Sequence, residues 1–254
     1  MTAVTLQALS GLPEIRPGDD LAHLIGDAIV QNDLRPEAND ILIVAQKIIS
    51  KAENRLVNLN TVTPGAHARE LAALTGKDAR LVELILSQSS GVVRSARNVL
   101  IVRHRLGYVM ANAGIDRSNV PGAEGGELVL LLPVDPEGSA RVLRARLEER
   151  FGVEIAVVIS DSFGRPWRVG TLNVALAAAG LPALYDRRGE MDRQGRVLEV
   201  TQVAVADAVA AAAGLVMGEG AEGTPVVLVR GFACKAPLCD AKSLIRPVSE
   251  DLFQ

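Results

Sequence analysis

Short apolar runs alternate with helix-like stretches along the chain. Four runs rich in Val, Ile and Leu have the β-branched composition of buried strands. They are residues 40–46, 128–133, 155–161 and 225–230. Residues 99–102 and 107–110 predict two paired strands around a basic turn at residues 103–105.

Apolar residues at helical spacing predict the remaining regular elements. A helix is expected from Asp19 to Ile29, one or two helices from His67 to Leu86 with a break near Gly76, and an alanine-rich helix from Ala204 to Met217. A further helix is expected from Ser139 to Phe151, with the Ser139 hydroxyl as its cap. The chain from Ala233 onward is expected to be irregular. Since helices and strands alternate without a regular βαβ period, the pattern predicts an α+β fold.

Composition narrows the class of protein. The 254 residues are 48% hydrophobic and 22% charged, with a formal net charge of −3, so the charge does not favour nucleic-acid binding. No apolar run approaches the roughly 20 residues of a membrane helix, and the N-terminus has no signal-peptide pattern. We therefore expect a cytoplasmic protein without a nucleic-acid or membrane partner. Cys234 and Cys239 form no disulfide framework, and their roles are open.

Candidate chemistry gathers in three clusters that follow predicted elements. Residues 112–120 contain Asp116, residues 160–168 contain Asp161, and residues 217–224 contain Glu219. Carboxylate, hydroxyl and carbonyl oxygens are the ligands that Mg²⁺ and Mn²⁺ prefer. The alternative is structural, because an Asp after a strand often serves only as a turn former or a helix cap. Around Asp161 the density of polar and aromatic residues argues against that alternative.

The third cluster spells G-x-G-x-x-G but stands in the wrong place for a dinucleotide fingerprint. It follows a predicted helix and precedes a strand, and Glu219 and Glu222 would repel a phosphate unless a cation lay between them. The spacing alone favours a plain helix-to-strand connection, with a metal and nucleotide loop as the alternative. The chain has neither a Walker A motif nor a G-x-S-x-G elbow.

Basic and imidazole side chains complete the candidates. Lys47 and Lys51 lie four residues apart, on one face if helical, where they could neutralise phosphate or simply be solvated. His23, His67 and His104 have no metal-ligand spacing and are expected to be surface or packing residues.

Five segments together resemble the coenzyme F420-0:L-glutamate ligase family. They are residues 12–15, 46–53, 112–120, 160–168 and 217–223, in that family's order between about Gly11 and Arg230. The resemblance implies a GTP-dependent ligase that joins L-glutamate to coenzyme F420-0 by an amide bond through an acyl phosphate. It leaves open whether further γ-linked glutamates are added. It also implies a homodimer and a two-lobed mixed-sheet fold, neither Rossmann nor P-loop.

The resemblance further implies a single ligase unit over residues 1–254, built of two intertwined lobes, with no flavin-reductase-like domain after it. Two divalent cations, Mg²⁺ or Mn²⁺, would be held by Asp116 and Asp161 and by Ser162 and Glu219, with Ser162 in place of a Thr. The resemblance is also compatible with a monovalent cation as a further cofactor. Asp116, Asp161 and Lys51 would be catalytic. The nucleotide contacts would be Leu12, Pro13, Glu14, Ile15, Gln46, Lys47, Lys51, Asn119, Met217, Gly218, Glu219, Gly220, Ala221, Glu222, Gly223 and Thr224.

Three residues of the second cluster are candidates on chemistry alone. Guanidinium groups match carboxylates and phosphates, so Arg165 and Arg168 are expected to grip a substrate oxyanion. Trp167 would stack on the deazaflavin ring or be buried by packing. Two other functions stay open: a nucleotide-binding homologue without turnover, and a ligase for a different phosphorylated carboxylate.

Overall fold

The computed structural model of the protein describes residues 3–118 and 127–252. In these ranges the strands are β1 (Thr5–Ala8), β2 (Ile41–Ala45), β3 (Leu56–Asn58), β4 (Ser89–Ala96), β5 (Val99–His104), β6 (Val109–Ala111), β7 (Leu128–Leu130), β8 (Ala156–Arg165), β9 (Arg168–Ala179), β10 (Leu184–Asp186), β11 (Gln202–Ala204) and β12 (Val226–Arg230). The helices are α1 (Leu21–Gln31), α2 (Gln46–Ala52), α3 (Ala66–Thr75), α4 (Ala79–Ser87), α5 (Pro136–Phe151) and α6 (Val205–Met217).

A five-stranded mixed sheet forms the centre of the fold. Its order is β1-β12-β2-β8-β9, and of these pairs β2–β8 is parallel while the others are antiparallel. A doubly wound fold needs a mostly parallel sheet, so the described strands exclude it. Three smaller sheets pair β3 with β7, β4 with β5 and β6, and β10 with β11. The predicted α+β class is confirmed.

Alternation along the central strands divides the apolar side chains between two cores. Leu42 and Val44 point to the face covered by α1 and α5, whereas Ile41 and Ile43 point to the face covered by α6. Both faces are covered, which is why β2 reads as a continuous apolar run.

A third core lies outside the central sheet. It joins α3 and α4 to the β3–β7 and β4–β5–β6 sheets, and its buried residues include Leu59, Val82, Leu100 and Val129. This region lies between β2 and β8 in sequence, so the chain leaves the central sheet and returns to it. The prediction of one unit over residues 1–254 stays a prediction.

Most predicted elements are confirmed. Helix α1 begins after Asp20, whose carboxylate accepts a hydrogen bond from the His23 backbone N–H. Helices α3 and α4 are separated at Gly76, which ends α3 with a φ of 71° in the left-handed region. Helix α6 and strands β2 and β12 lie within a residue or two of their predicted bounds.

Some boundaries were wrong. Helix α5 starts at Pro136 after Asp135, so Ser139 lies inside the helix and does not cap it; proline suits the first helical position. The strand predicted to stop at Asp161 runs on to Arg165, because β9 pairs with it over its whole length. The segment 128–133 is a strand over three residues only, and residues 103–104 belong to β5, not to the turn. In the described residues no helix is long and apolar enough to cross a membrane.

Candidate active site

Three elements meet where β2 ends. Ala45, the last residue of β2, pairs with Ser160 in the middle of β8. Helix α2 begins directly after Ala45, at Gln46. Strand β12 runs antiparallel to β2, so the loop that precedes it arrives at the same end of the sheet. Beyond Ser160, β8 keeps only β9 as a neighbour, which leaves space beside Asp161.

This space is a cavity of about 350 Å³. It gathers most of the predicted site from four distant parts of the sequence. Its lining includes Leu12, Pro13, Glu14, Ile15, Gln46, Lys47, Lys51, Asp161, Ser162, Met217, Gly218, Glu219, Gly220, Ala221, Glu222, Gly223 and Thr224. Asp116 reaches the cavity through Lys47. Asn119 lies outside the described residues.

Lys47 and Asp116 form an ion pair. The Lys47 Nζ atom lies 2.6 Å from Asp116 Oδ2 and 2.8 Å from Ser118 Oγ. Asp116 Oδ1 also accepts hydrogen bonds from the Ser118 backbone N–H and hydroxyl. Burial alone would raise the pKa of the Asp116 carboxyl, but the Lys47 and Ser118 hydrogen bonds outweigh it and lower the pKa. Asp116 is therefore both a turn former and a charged member of the site.

Asp161 carries the most perturbed carboxyl group of the cavity. Burial, together with the negative charges of Asp116 and Glu219, raises its pKa to about 7, against the opposing effects of the Ser162 backbone N–H and of Lys47. Since Asp161 stands within a strand, the turn-former alternative is wrong for it. A strongly raised pKa beside other carboxylates is typical of a functional site.

The lysines of α2 are not a solvated face. Lys51 is buried, with 5% of its surface exposed, and its Nζ atom donates to the Glu14 carboxylate. Gln46 is buried as well, and its side-chain oxygen accepts a hydrogen bond from Ser50 Oγ at 2.8 Å. A buried ammonium needs an anionic partner, and the Glu14 carboxylate at the wall of the cavity is that partner here.

The glycine-bearing loop folds around Glu222. The Glu222 carboxylate accepts a hydrogen bond from the Gly220 backbone N–H at 2.8 Å. Gly218 ends α6 with a φ of 78°, and a Cβ atom there would lie 2.3 Å from the Glu222 side chain. Thr224 ties the far end of the loop to α6 through a hydrogen bond from its hydroxyl to the Met217 carbonyl at 3.0 Å.

Two polar residues of the cavity had no role in the sequence analysis: Ser160 was only the first residue of the second cluster, and Asn173 was missed. The buried Ser160 Oγ and Asn173 Nδ2 atoms both lack a hydrogen-bond partner among the described residues. Both residues line the cavity, and Asn173 pairs with Ser162 across β8 and β9. A lone amide in the apolar run of β9 was the available signal. Buried polar atoms without a partner are rare and suit a ligand-binding position.

The arginines and tryptophan of the second cluster lie elsewhere. Arg165 and Arg168 pair at the tip of the β8–β9 hairpin, about 13 Å along the strand from Asp161. Trp167 lies between them, 86% exposed, so buried packing is wrong for it. None of the three residues lines the cavity, so the predicted binding of a substrate oxyanion by the two arginines does not take place in this site.

Comparisons with known proteins identify the family of the chain. The family described as F420-0:Gamma-glutamyl ligase matches residues 11–231, which include every described segment of the cavity. The chain belongs to this family. A protein of Methanothermobacter thermautotrophicus named "Coenzyme F420:L-glutamate ligase" is 43% identical over 253 residues, 99% of both chains.

Two further relatives carry the same name. The protein of Methanopyrus kandleri is 44% identical, over 95% of this chain and 94% of its own. The protein of Haloarcula marismortui is 45% identical, over 89% of this chain and 86% of its own. The resemblance to the F420 ligase family is therefore confirmed over nearly the whole length.

The cavity has the donor chemistry for divalent cations in a member of this family. Within the described residues no group of three or more His, Cys, Asp or Glu side chains is arranged to hold a metal ion. Magnesium commonly takes only one or two carboxylates, with water and substrate phosphate completing its shell. Burial, with the negative charges of Asp116 and Glu219, raises the pKa of the Asp161 carboxyl, and a bound cation would favour its charged form. Asp116, Asp161, Ser162 and Glu219 therefore fit such ions.

Proposed function

We propose that this protein is a GTP- and divalent-metal-dependent ligase that joins L-glutamate to coenzyme F420-0. The observation that carries the proposal is that one cavity brings the lysines of α2, the Asp161 strand and the glycine-bearing loop together in a member of the family. Its lysines suit a nucleotide phosphate, and its carboxylates suit the cations that accompany one.

The reaction forms an amide in two steps. The acceptor carboxylate attacks the γ-phosphorus of GTP, the bond to the β-phosphate oxygen breaks, and GDP leaves. The amine of L-glutamate then attacks the resulting acyl phosphate, releases inorganic phosphate and loses a proton. Phosphoryl transfer is promoted mainly by positioned charge, so this reaction needs no nucleophilic side chain from the protein.

The side chains of the cavity have separate roles in this proposal. Lys47 orients Asp116 and places positive charge beside Asp161, while Lys51 offers a buried ammonium to the nucleotide. Asp116, Asp161, Ser162 and Glu219 would hold Mg²⁺ or Mn²⁺, whose bound form neutralises the charge on the phosphates. Loop residues 217–224 would cover the nucleotide. The homodimer and the cytoplasmic location remain part of the proposal.

A mass-spectrometric assay tests the proposed function. The protein is incubated with F420-0, L-glutamate, GTP and Mn²⁺, and each component is omitted in turn. A product heavier by one or more glutamyl units, absent when GTP or the metal is left out, is expected. No product, together with metal-dependent GTP binding, would favour a ligase for a different acceptor or a binding protein without turnover.

A further inference from the structure

A second cavity, of about 260 Å³, lies beside the hairpin that carries Asp161. The turn between β5 and β6, the strands β8 and β9, the start of α6 and the chain after residue 240 form its walls. Typical ligand pockets measure roughly 300–1,000 Å³. The second cavity is slightly smaller than that range, so it suits part of a ligand, such as one ring system, and not a whole coenzyme.

The two cavities are neighbours across β8 and β9. Asp161 lines the first cavity, while its cross-strand partner Val174 lines the second. Phe163, two residues beyond Asp161, also lines the second. Neighbouring strands lie about 4.8 Å apart. One elongated substrate could therefore occupy the second cavity with one end and lie beside Asp161 with the other.

The wall of the second cavity combines aromatic rings with balanced charges. Tyr108 and Phe163 meet edge to face, with ring centroids 6.1 Å apart, and the Tyr108 hydroxyl is held by a hydrogen bond to the Leu176 carbonyl. Two arginines and two aspartates complete the polar lining: Arg103, Arg246, Asp207 and Asp251.

The two aspartates are already engaged. Asp251 pairs with Arg103 at 3.2 Å, and Asp207 accepts the Ala175 backbone N–H at 2.8 Å. A lining with equal numbers of acidic and basic groups suits a polar heterocycle better than a free phosphate. The deazaflavin ring of the acceptor is such a group, since its dione edge presents two carbonyl acceptors around an N–H donor.

We propose that the second cavity binds the deazaflavin ring of the acceptor, with Arg246 donating to a ring carbonyl and the ring plane against Tyr108 and Phe163. The phosphate-bearing chain of the acceptor then extends along β8 and brings its carboxylate to the first cavity. This assignment rests on the proposed function, because that function supplies the acceptor.

Arg246 is the residue to test, because it is exposed and truncating its side chain removes no contact of the hydrophobic core. The variant is Arg246→Ala, and the matched control is Lys242→Ala, an exposed cation of the same segment that does not line the cavity. Calorimetric titration with F420-0 in the absence of GTP measures binding without turnover. Steady-state assays then give the KM for F420-0, GTP and L-glutamate.

The expected result is a Kd and a KM for F420-0 raised about 10-fold in Arg246→Ala, as for one lost hydrogen bond to a charged donor. The KM values for GTP and L-glutamate should not change, and Lys242→Ala should match the wild type. Unchanged F420-0 binding in Arg246→Ala, or equal weakening for GTP, would overturn the ring assignment. If the wild type binds F420-0 through Arg246 but makes no product, the proposed function fails while the ring site stands.

Discussion

Lys47 Nζ and Asp116 Oδ2 lie 2.6 Å apart, although 69 positions separate the two residues. The pair connects the first turn of α2 to the segment after β6. It sets the charge next to Asp161, because Asp116 raises the pKa of Asp161 and Lys47 lowers it. The two side chains therefore act in opposite directions on the charge of Asp161, in addition to the larger effect of burial.

Lys47→Met should lower kcat/KM for GTP at least 10-fold while the protein remains folded. The variant removes the cation that faces both Asp116 and Asp161, and electrostatic contacts of this kind often contribute several kcal/mol to a transition state. Steady-state kinetics with GTP as the varied substrate measure the effect. Lys235→Met, at an exposed position outside the cavity, serves as the control. Wild-type kinetics in Lys47→Met would remove Lys47 from the site.

The sequence indicated which residues would lie together in the cavity better than it indicated the strands that position them. The apolar run of β2 was recognisable because nearly all of it is buried, and the alanine-rich α6 was recognisable because its buried residues recur at helical spacing. The length of β8 was not recognisable, since residues 161–165 contain three polar side chains and a glycine, and their strand conformation depends on pairing with β9. Local pattern cannot show such tertiary pairing.

The roles of individual side chains show the same division. The resemblance named Asp161 and Lys51, but only the structure shows that Lys51 is buried and that Asp161 has a raised pKa. Asn173 was missed because its neighbour in the cavity, Ser162, lies opposite it on a different strand. Arg165 and Arg168 carry suitable chemistry, yet the hairpin places them at its tip. Chemistry can be predicted from residue types, whereas distance requires the fold.

The free energy of unfolding should decrease as the pH falls, because His104 is buried and uncharged in the folded protein. Burial, with the charges of Arg105 and Arg55, lowers the pKa of His104 to about 4, and its Nδ1 atom accepts the Leu106 backbone N–H at 3.0 Å. An unfolded histidine takes up its proton near pH 6.5, so below that value the unfolded chain binds a proton that the folded chain refuses. The stabilisation is therefore complete above pH 6.5 and is lost toward pH 4.

Urea unfolding of the wild type and of His104→Gln between pH 7 and pH 4 tests this effect. The difference in unfolding free energy between the two proteins should change by up to about 3 kcal/mol over that range. His67→Gln is the control, since His67 is exposed. A constant difference between the wild type and His104→Gln across the whole range would contradict the assignment.

Glu137→Ala should lower the free energy of unfolding by about 2–3 kcal/mol. The buried Glu137 carboxylate accepts the backbone N–H groups of Ala178 in β9 and of Ala241 in the C-terminal segment. Its removal would leave two buried donors without partners. Chemical unfolding measures the loss, and Glu149→Ala, at an exposed position of the same helix, is the comparison. Equal stability of the two variants would show that Glu137 does not hold the C-terminal segment.

Ligation by the wild type and by Asp161→Asn, followed side by side by mass spectrometry, tests the central claim most directly. The substitution keeps the shape of the side chain and removes its charge, and Asp33→Asn, at an exposed position outside the cavity, is the control. We predict a glutamylated product from the wild type and from Asp33→Asn, and none from a folded Asp161→Asn. Product formation by Asp161→Asn at the wild-type rate would contradict the account.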